Sequence, residues 1–123
     1  MRKSIAEVLD GYSIALLKQK NIGTPETESS VKWYEEGFKE LEINYPHIQW
    51  GVVLKTFLDI NSSIWLLEAD VRKGALDQNI EEVGRRAILI REFNRIRVGL
   101  GNSVLAMMGE AVGMNIKKDH ASG

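Results

Sequence analysis

The chain has two prolines, Pro25 and Pro46, and the residues around them divide it into segments with a helical apolar period. In Thr24-Pro25-Glu26 a capping hydroxyl precedes a proline at the first helical position and an acid in the first turn. The missing proline N–H costs nothing there, and the carboxylate meets the helix dipole. The spacing predicts a helix from this point to about Asn44. Val31, Tyr34, Phe38, Leu41 and Tyr45 share one face, and Glu35, Glu36, Lys39, Glu40 and Glu42 share the solvent arc. Pro46 is expected to end this helix and to open a third one, carrying Ile48, Val52, Val53, Phe57, Ile60, Ile64 and Leu67 up to Gly74.

Upstream, Ser4 can cap a first helix over residues 4–20 with Ile5, Val8, Leu9, Tyr12, Leu16 and Leu17 on its apolar face and Gly23 just past its end. Downstream, Asp77 or Asn79 can begin a fourth. One of its seams runs Ile80, Val83, Ala87, Ile90, Asn94, Arg97 and Gly101, and another runs Leu89, Phe93, Ile96, Leu100 and Val104. Two seams imply a central, heavily buried helix. No stretch alternates apolar and polar residues between hairpin dipeptides, so strands are not expected. The fold class is therefore all-α, a four-helix and mostly antiparallel bundle. A single domain over residues 1–113 would be followed by a frayed, flexible C-terminal tail over 114–123.

A chain of 123 residues, 44% of them hydrophobic and 27% charged, can bury a core without staples and lies well outside the disordered range. It contains no cysteine, which excludes disulfides, thiolate zinc sites and thiol nucleophiles. The N-terminal MRKSIAEVLDGYS is interrupted by Glu7 and Asp10 and does not read as a signal peptide. No run approaches the length of a membrane span. A soluble, cytoplasmic protein that engages no membrane is expected. Residues 85–97 hold Arg85, Arg86, Arg91, Arg95 and Arg97 against Glu92, but the formal net charge is −1, so nucleic acid is not the expected partner.

The polar residues of interest lie on INSSIWLLEADVR (60–72), where Asn61, Trp65, Glu68 and Arg72 fall on one helical stripe. Asn94 and Arg97 lie on the facing seam. Buried charges must satisfy one another, and a Glu68–Arg97 pair would do this. Such a network can lock helix register, as a core asparagine does in coiled coils. It can also line a pocket for an anionic small molecule, with Arg72 and Arg97 as forked donors and Trp65 as a wall. A weaker set is Glu7, Asp10 and Lys18. Glu7 and Asp10, with Glu68 and Asp70, invite comparison with the carboxylate pairs of all-α nucleotide pyrophosphohydrolases, but Glu68 and Asp70 point about 200° apart around their helix.

The remaining features are read as structural. Gly99 and Gly101 are expected to allow close helix packing or a kink, His47 and His120 to lie on the surface, and Met107-Met108 to fill core. Trp33 and Trp50 are read as packing residues or interface anchors.

Three blocks taken together, EVLDGYSIALLKQKNI (7–22), LDINSSIWLLEADVRKG (58–74) and RRAILIREFNRIRVGLGN (85–102), resemble an uncharacterised bacterial family of small helical domains. Its pattern runs E-L-x-D-K-x-T-I-L-x-x-K, then N-x-x-L-W-x-x-E-D-x-I-R, then N-D-x-R-x-x-L-K-x-x-I-N. Members are similar to domains found beside or fused to glycosyltransferases and other surface-polysaccharide proteins. The resemblance singles out Glu7, Asp10, Ser13, Lys18, Asn61, Trp65, Glu68, Arg72, Asn94 and Arg97, and it implies no established reaction. Gly11 stands for a lysine of the pattern, Ala69 for its second acid, Arg95 for an aspartate, and a later lysine is missing.

The function expected from all this is a non-catalytic helical module that self-associates or binds another protein. The alternatives are a domain for a phosphate, nucleotide or sugar nucleotide, and a magnesium-dependent pyrophosphohydrolase-like enzyme. The expected partner is a homodimer mate, a second protein or an anionic small molecule. No catalytic residue, cofactor or metal is assigned.

Overall fold

The capping signals act where the sequence places them. Ser4 Oγ accepts from the Glu7 N–H at 3.1 Å and starts α1 (Ile5–Asn21), and Gly23 leaves it with a positive φ of 69°. Thr24 starts α2 (Pro25–Asn44) with a reciprocal capping box, since Thr24 Oγ1 accepts from the Thr27 N–H and Thr27 Oγ1 from the Thr24 N–H. The Asn79 side chain accepts from the Glu82 N–H at 3.0 Å and caps α4 (Ile80–Val112), and Gly74, with φ 75°, ends the last turn after α3 (Trp50–Arg72). The structure is a computed structural model that describes the backbone of residues 4–112 and the side chains of residues 4–108. The expected tail over 114–123, including His120, lies outside the described residues.

The start of α3 departs from expectation. Pro46 does not open it; residues 45–49 form a turn, and the helix begins at Trp50. The reason is the Trp50 side chain. Its indole N–H donates to the Tyr45 carbonyl at 2.9 Å, which draws the ring into the core and holds the preceding segment out of helical register. Trp50 is only 2% exposed, so it is a core residue and not an interface anchor.

All four helices pack as an all-α bundle, with α1 against α2, α3 and α4, and α3 against α4. The Tyr12 ring meets Phe38 at a tilt, and Thr27 bonds Gln19, so α1 and α2 run antiparallel. Arg97 meets Asn61, and Arg86 meets Asp70, which sets α4 antiparallel to α3. The core gathers Val8 and Leu9 of α1, Phe38 and Leu41 of α2, Trp50 and Phe57 of α3, and Val104 and Met108 of α4. Burying side chains of this size contributes about 1.5–3 kcal/mol each.

The central helix is α1, not α4. α1 packs on all three others, whereas no residue of α4 before Val104 is buried. At 33 residues α4 is nearly twice the length of the 17-residue α1, so its N-terminal part has only α3 to lie against. Among the described residues, no helix is long and apolar enough to cross a membrane.

Candidate functional site

The polar residues of α3 and α4 do form a network, with membership different from that expected. Asn61, 4% exposed, sits where the apolar face of α3 meets α1 and α4. Its amide nitrogen donates one hydrogen to Ser13 Oγ at 2.7 Å and the other to Asp10 Oδ1 at 2.9 Å. Its amide oxygen accepts from Arg97 Nη1 at 2.9 Å. The Ser13 hydroxyl, having accepted from Asn61, donates to the Asp10 carbonyl at 2.7 Å. Both amide hydrogens and the amide oxygen are thus used, and the opposite amide orientation would set an NH2 group against the guanidinium. Arg97 Nε also lies 3.8 Å from Asp10 Oδ1. Among the described residues, no buried side-chain nitrogen or oxygen lacks a partner.

Glu68 is not part of this network. It pairs with Arg72 on its own helix at 3.5 Å, with side chains 39% and 53% exposed, and the Arg72 guanidinium lies 5.1 Å above the Trp65 ring. The expected Glu68–Arg97 pair is therefore corrected. The stripe is continuous around α3, but the bundle covers only its first member. Beyond Asn61 it leaves the four-helix core, and Trp65, Glu68 and Arg72 become a surface cluster. Asn94 is half-buried one turn before Arg97 and outside the network, and Lys18 is exposed on the last turn of α1.

From sequence Asp10 is a weaker candidate, and Ser13 is singled out only by the family resemblance. The signal that could have found them is Ser13 itself, a small hydroxyl four residues after Leu9 and four before Leu17 on a face otherwise apolar. A core position filled by serine implies a polar partner opposite, and α3 supplies Asn61.

Beside the network, a groove of about 330 Å³ runs between α1 and α4. Its walls are Glu7 and Asp10 of α1, Arg97 and Asn102 of α4, and an apolar floor that includes Phe57 and Leu105. Gly101 also lines it, and a Cβ built there would meet nothing within 4 Å. Neither Gly99 nor Gly101 serves close helix packing, and α4 passes through both without a break. A glycine that does serve packing is Gly11, where a Cβ would run into the Tyr34 ring.

A second polar cluster joins the free ends of α3 and α4. Arg86 donates to Asp70 at 3.2 Å and to Glu82 at 2.9 Å, and it reaches the Leu67 carbonyl. The Arg85 and Arg86 hydrogen bonds lower the Glu82 carboxyl to about 2. Asp70 and Glu68 are thus each taken up by an arginine. Among the described residues, no three His, Asp or Glu side chains group in a way that could hold a metal ion. His47 and Met107 are exposed, Met108 is buried, and Trp33 lies edge-on to Tyr34 at the surface.

Compared with protein-family models, curated proteins and solved structures, the chain matches none of them.

Proposed function

We propose that this chain is a non-catalytic helical module that associates with a second copy of itself through α4. The observation that carries the proposal is the stripe Leu89, Phe93, Ile96 and Leu100, extended by Met107. Leu89, Phe93, Ile96 and Leu100 repeat at four, three and four; Leu100 packs against the core at one edge of the stripe, but none of the five is fully buried, and Ile96 and Met107 are half or more exposed. Single apolar residues at a surface need no explanation. A stripe at coiled-coil spacing on a helix short of neighbours is what a facing helix would cover. The stripe lies roughly 140° around α4 from the groove-lining Val98, Gly101 and Leu105, so the groove plays no part in it. A two-fold pairing would use the same surface on both copies and close the assembly.

In this reading the Asp10–Ser13–Asn61–Arg97 network is a lock that holds α1, α3 and α4 in register. Membership of the bacterial helical family described above is part of the proposal. It is supported by the fact that these four lock residues are among those the resemblance singles out.

Light scattering on a size-exclusion column, from micromolar to several hundred micromolar protein, tests it. A dimer is expected, and Ile96→Glu should return it to monomer with unchanged far-ultraviolet circular dichroism. A monomer at every concentration overturns the proposal.

A further inference from the structure

The charges at one end of the α4 stripe set the direction of its partner. We propose that the two copies pair antiparallel, with a two-fold axis crossing α4 between Phe93 and Ile96, so that Phe93 meets the partner's Ile96 and Leu89 meets the partner's Leu100. This rests on the self-association proposed above and adds the orientation and register of the pair.

Followed toward the start of α4 at the same spacing of three and four, the stripe leaves its apolar residues and reaches Arg86 and Glu82. Both belong to the ionic cluster at that end, where Arg86 donates to Glu82 and Asp70, and Arg85 to Glu82. In a parallel, in-register pair each position on the stripe faces its own copy. Glu82 would then lie against the partner's Glu82 and Arg86 against the partner's Arg86, two like-charge contacts at which the cluster would also lose hydration. Toward the other end the stripe holds Ser103 and Met107, which carry no charge. The antiparallel register sets Arg86 opposite the partner's Ser103 and Glu82 opposite the partner's Met107. No like charges then meet along the stripe, and the four bulky apolar side chains fall against one another at its centre.

The anchoring of α4 favours the same orientation. Val104 and Met108 hold its C-terminal part to the core, whereas no residue of α4 before Val104 is buried. A parallel pair would set the two weakly covered parts against each other and would have to order both on binding. Leu100 packs against the core, so in an antiparallel pair the turns around Leu89 of each copy rest on a segment already held in place, and less freedom is lost.

The chain has no cysteine, so a nitroxide can be attached at a single introduced thiol. Arg95 and Ala106 are exposed and lie off the stripe. Pulsed dipolar electron paramagnetic resonance on the full chain, labelled at Arg95→Cys and separately at Ala106→Cys, tests the orientation. In the antiparallel pair the two Ala106 labels are offset along the helices by roughly 35 Å and the two Arg95 labels by almost nothing, so the Ala106 distance should exceed the Arg95 distance by more than about 10 Å. Ile96→Glu should abolish both signals. Equal distances at the two sites, or a shorter one at Ala106, would show a parallel pair and overturn the orientation while leaving self-association in place. No intermolecular distance at either site at several hundred micromolar protein, or distances that survive Ile96→Glu, would overturn both the orientation and the α4 pairing on which it rests.

Discussion

Arg97 on α4 donates to the amide oxygen of Asn61 on α3 at 2.9 Å, and through Asn61 the guanidinium is coupled to Ser13 and Asp10 on α1. One asparagine side chain thereby fixes three helices at a single level of the bundle. The arrangement needs an amide at position 61, because a group that both donates twice and accepts is required between a hydroxyl, a carboxylate and a guanidinium.

Asn61→Ala should destabilise the fold by about 1–3 kcal/mol in urea unfolding, because it strands buried partners of the amide. Asn61→Asp should be no rescue, since its carboxylate would lie against that of Asp10. A double-mutant cycle between Asn61→Ala and Arg97→Ala should give a coupling of about 0.5–3 kcal/mol. Additive losses would show that the two residues act separately.

Glu68→Gln is the contrasting case. Its exposed pairing with Arg72 four residues on is of the kind worth about 0.3–0.5 kcal/mol, so the urea midpoint should hardly move. A loss of several kcal/mol would place Glu68 in a buried pair after all.

The glycines divide sharply. Gly101→Ala should raise stability by roughly 0.5–1 kcal/mol, because its Cβ meets open space and the unfolded chain loses freedom. Gly11→Ala should lower it, because its Cβ would collide with the Tyr34 ring, which would have to leave its place between α1 and α2. Thermal denaturation of both variants checks the opposite signs.

Acid should weaken the junction of α3 and α4. The Glu82 carboxyl is lowered from its ordinary 4.5 to about 2 by Arg85 and Arg86. Its contribution is therefore fully present above pH 4.5 and is lost as pH falls from there through about 2. Glu82→Gln should flatten the stability profile in that window and leave it unchanged near neutrality in slope. Added salt should shrink the effect, since the pairs lie at the surface.

What could be read from the sequence was local in origin. Ser4, Thr24, Asn79, Gly23 and Gly74 each act on backbone groups within a few residues, so helix starts and stops followed from single turns of chain. The start of α3 was missed because Trp50 competes with Pro46, and only the Tyr45 carbonyl decides between them. The order of burial was missed for a different reason. The amphipathic pattern of α4 records which faces are apolar, but not that the helix outruns its neighbours. Asn61 and Arg97 were recognisable as polar residues on apolar seams. Their partners were not, because Asp10 and Ser13 lie 51 and 48 residues away on α1, and only the packing of α1 on α3 brings them opposite Asn61.

The extent of α4 beyond the core also sets how the molecule opens. Its buried anchors, Val104 and Met108, sit at one end, so the turns from Ile80 toward Phe93 can unwind without disturbing the Leu9–Phe57 centre. Their amide protons should exchange with solvent through local opening, at free energies well below that of global unfolding. Amides near Leu9 and Phe57 should exchange only when the whole domain unfolds. A copy docked along Leu89 and Ile96 would close that gap, so deuterium uptake in α4 would fall as protein concentration rises while uptake in α1 stays constant.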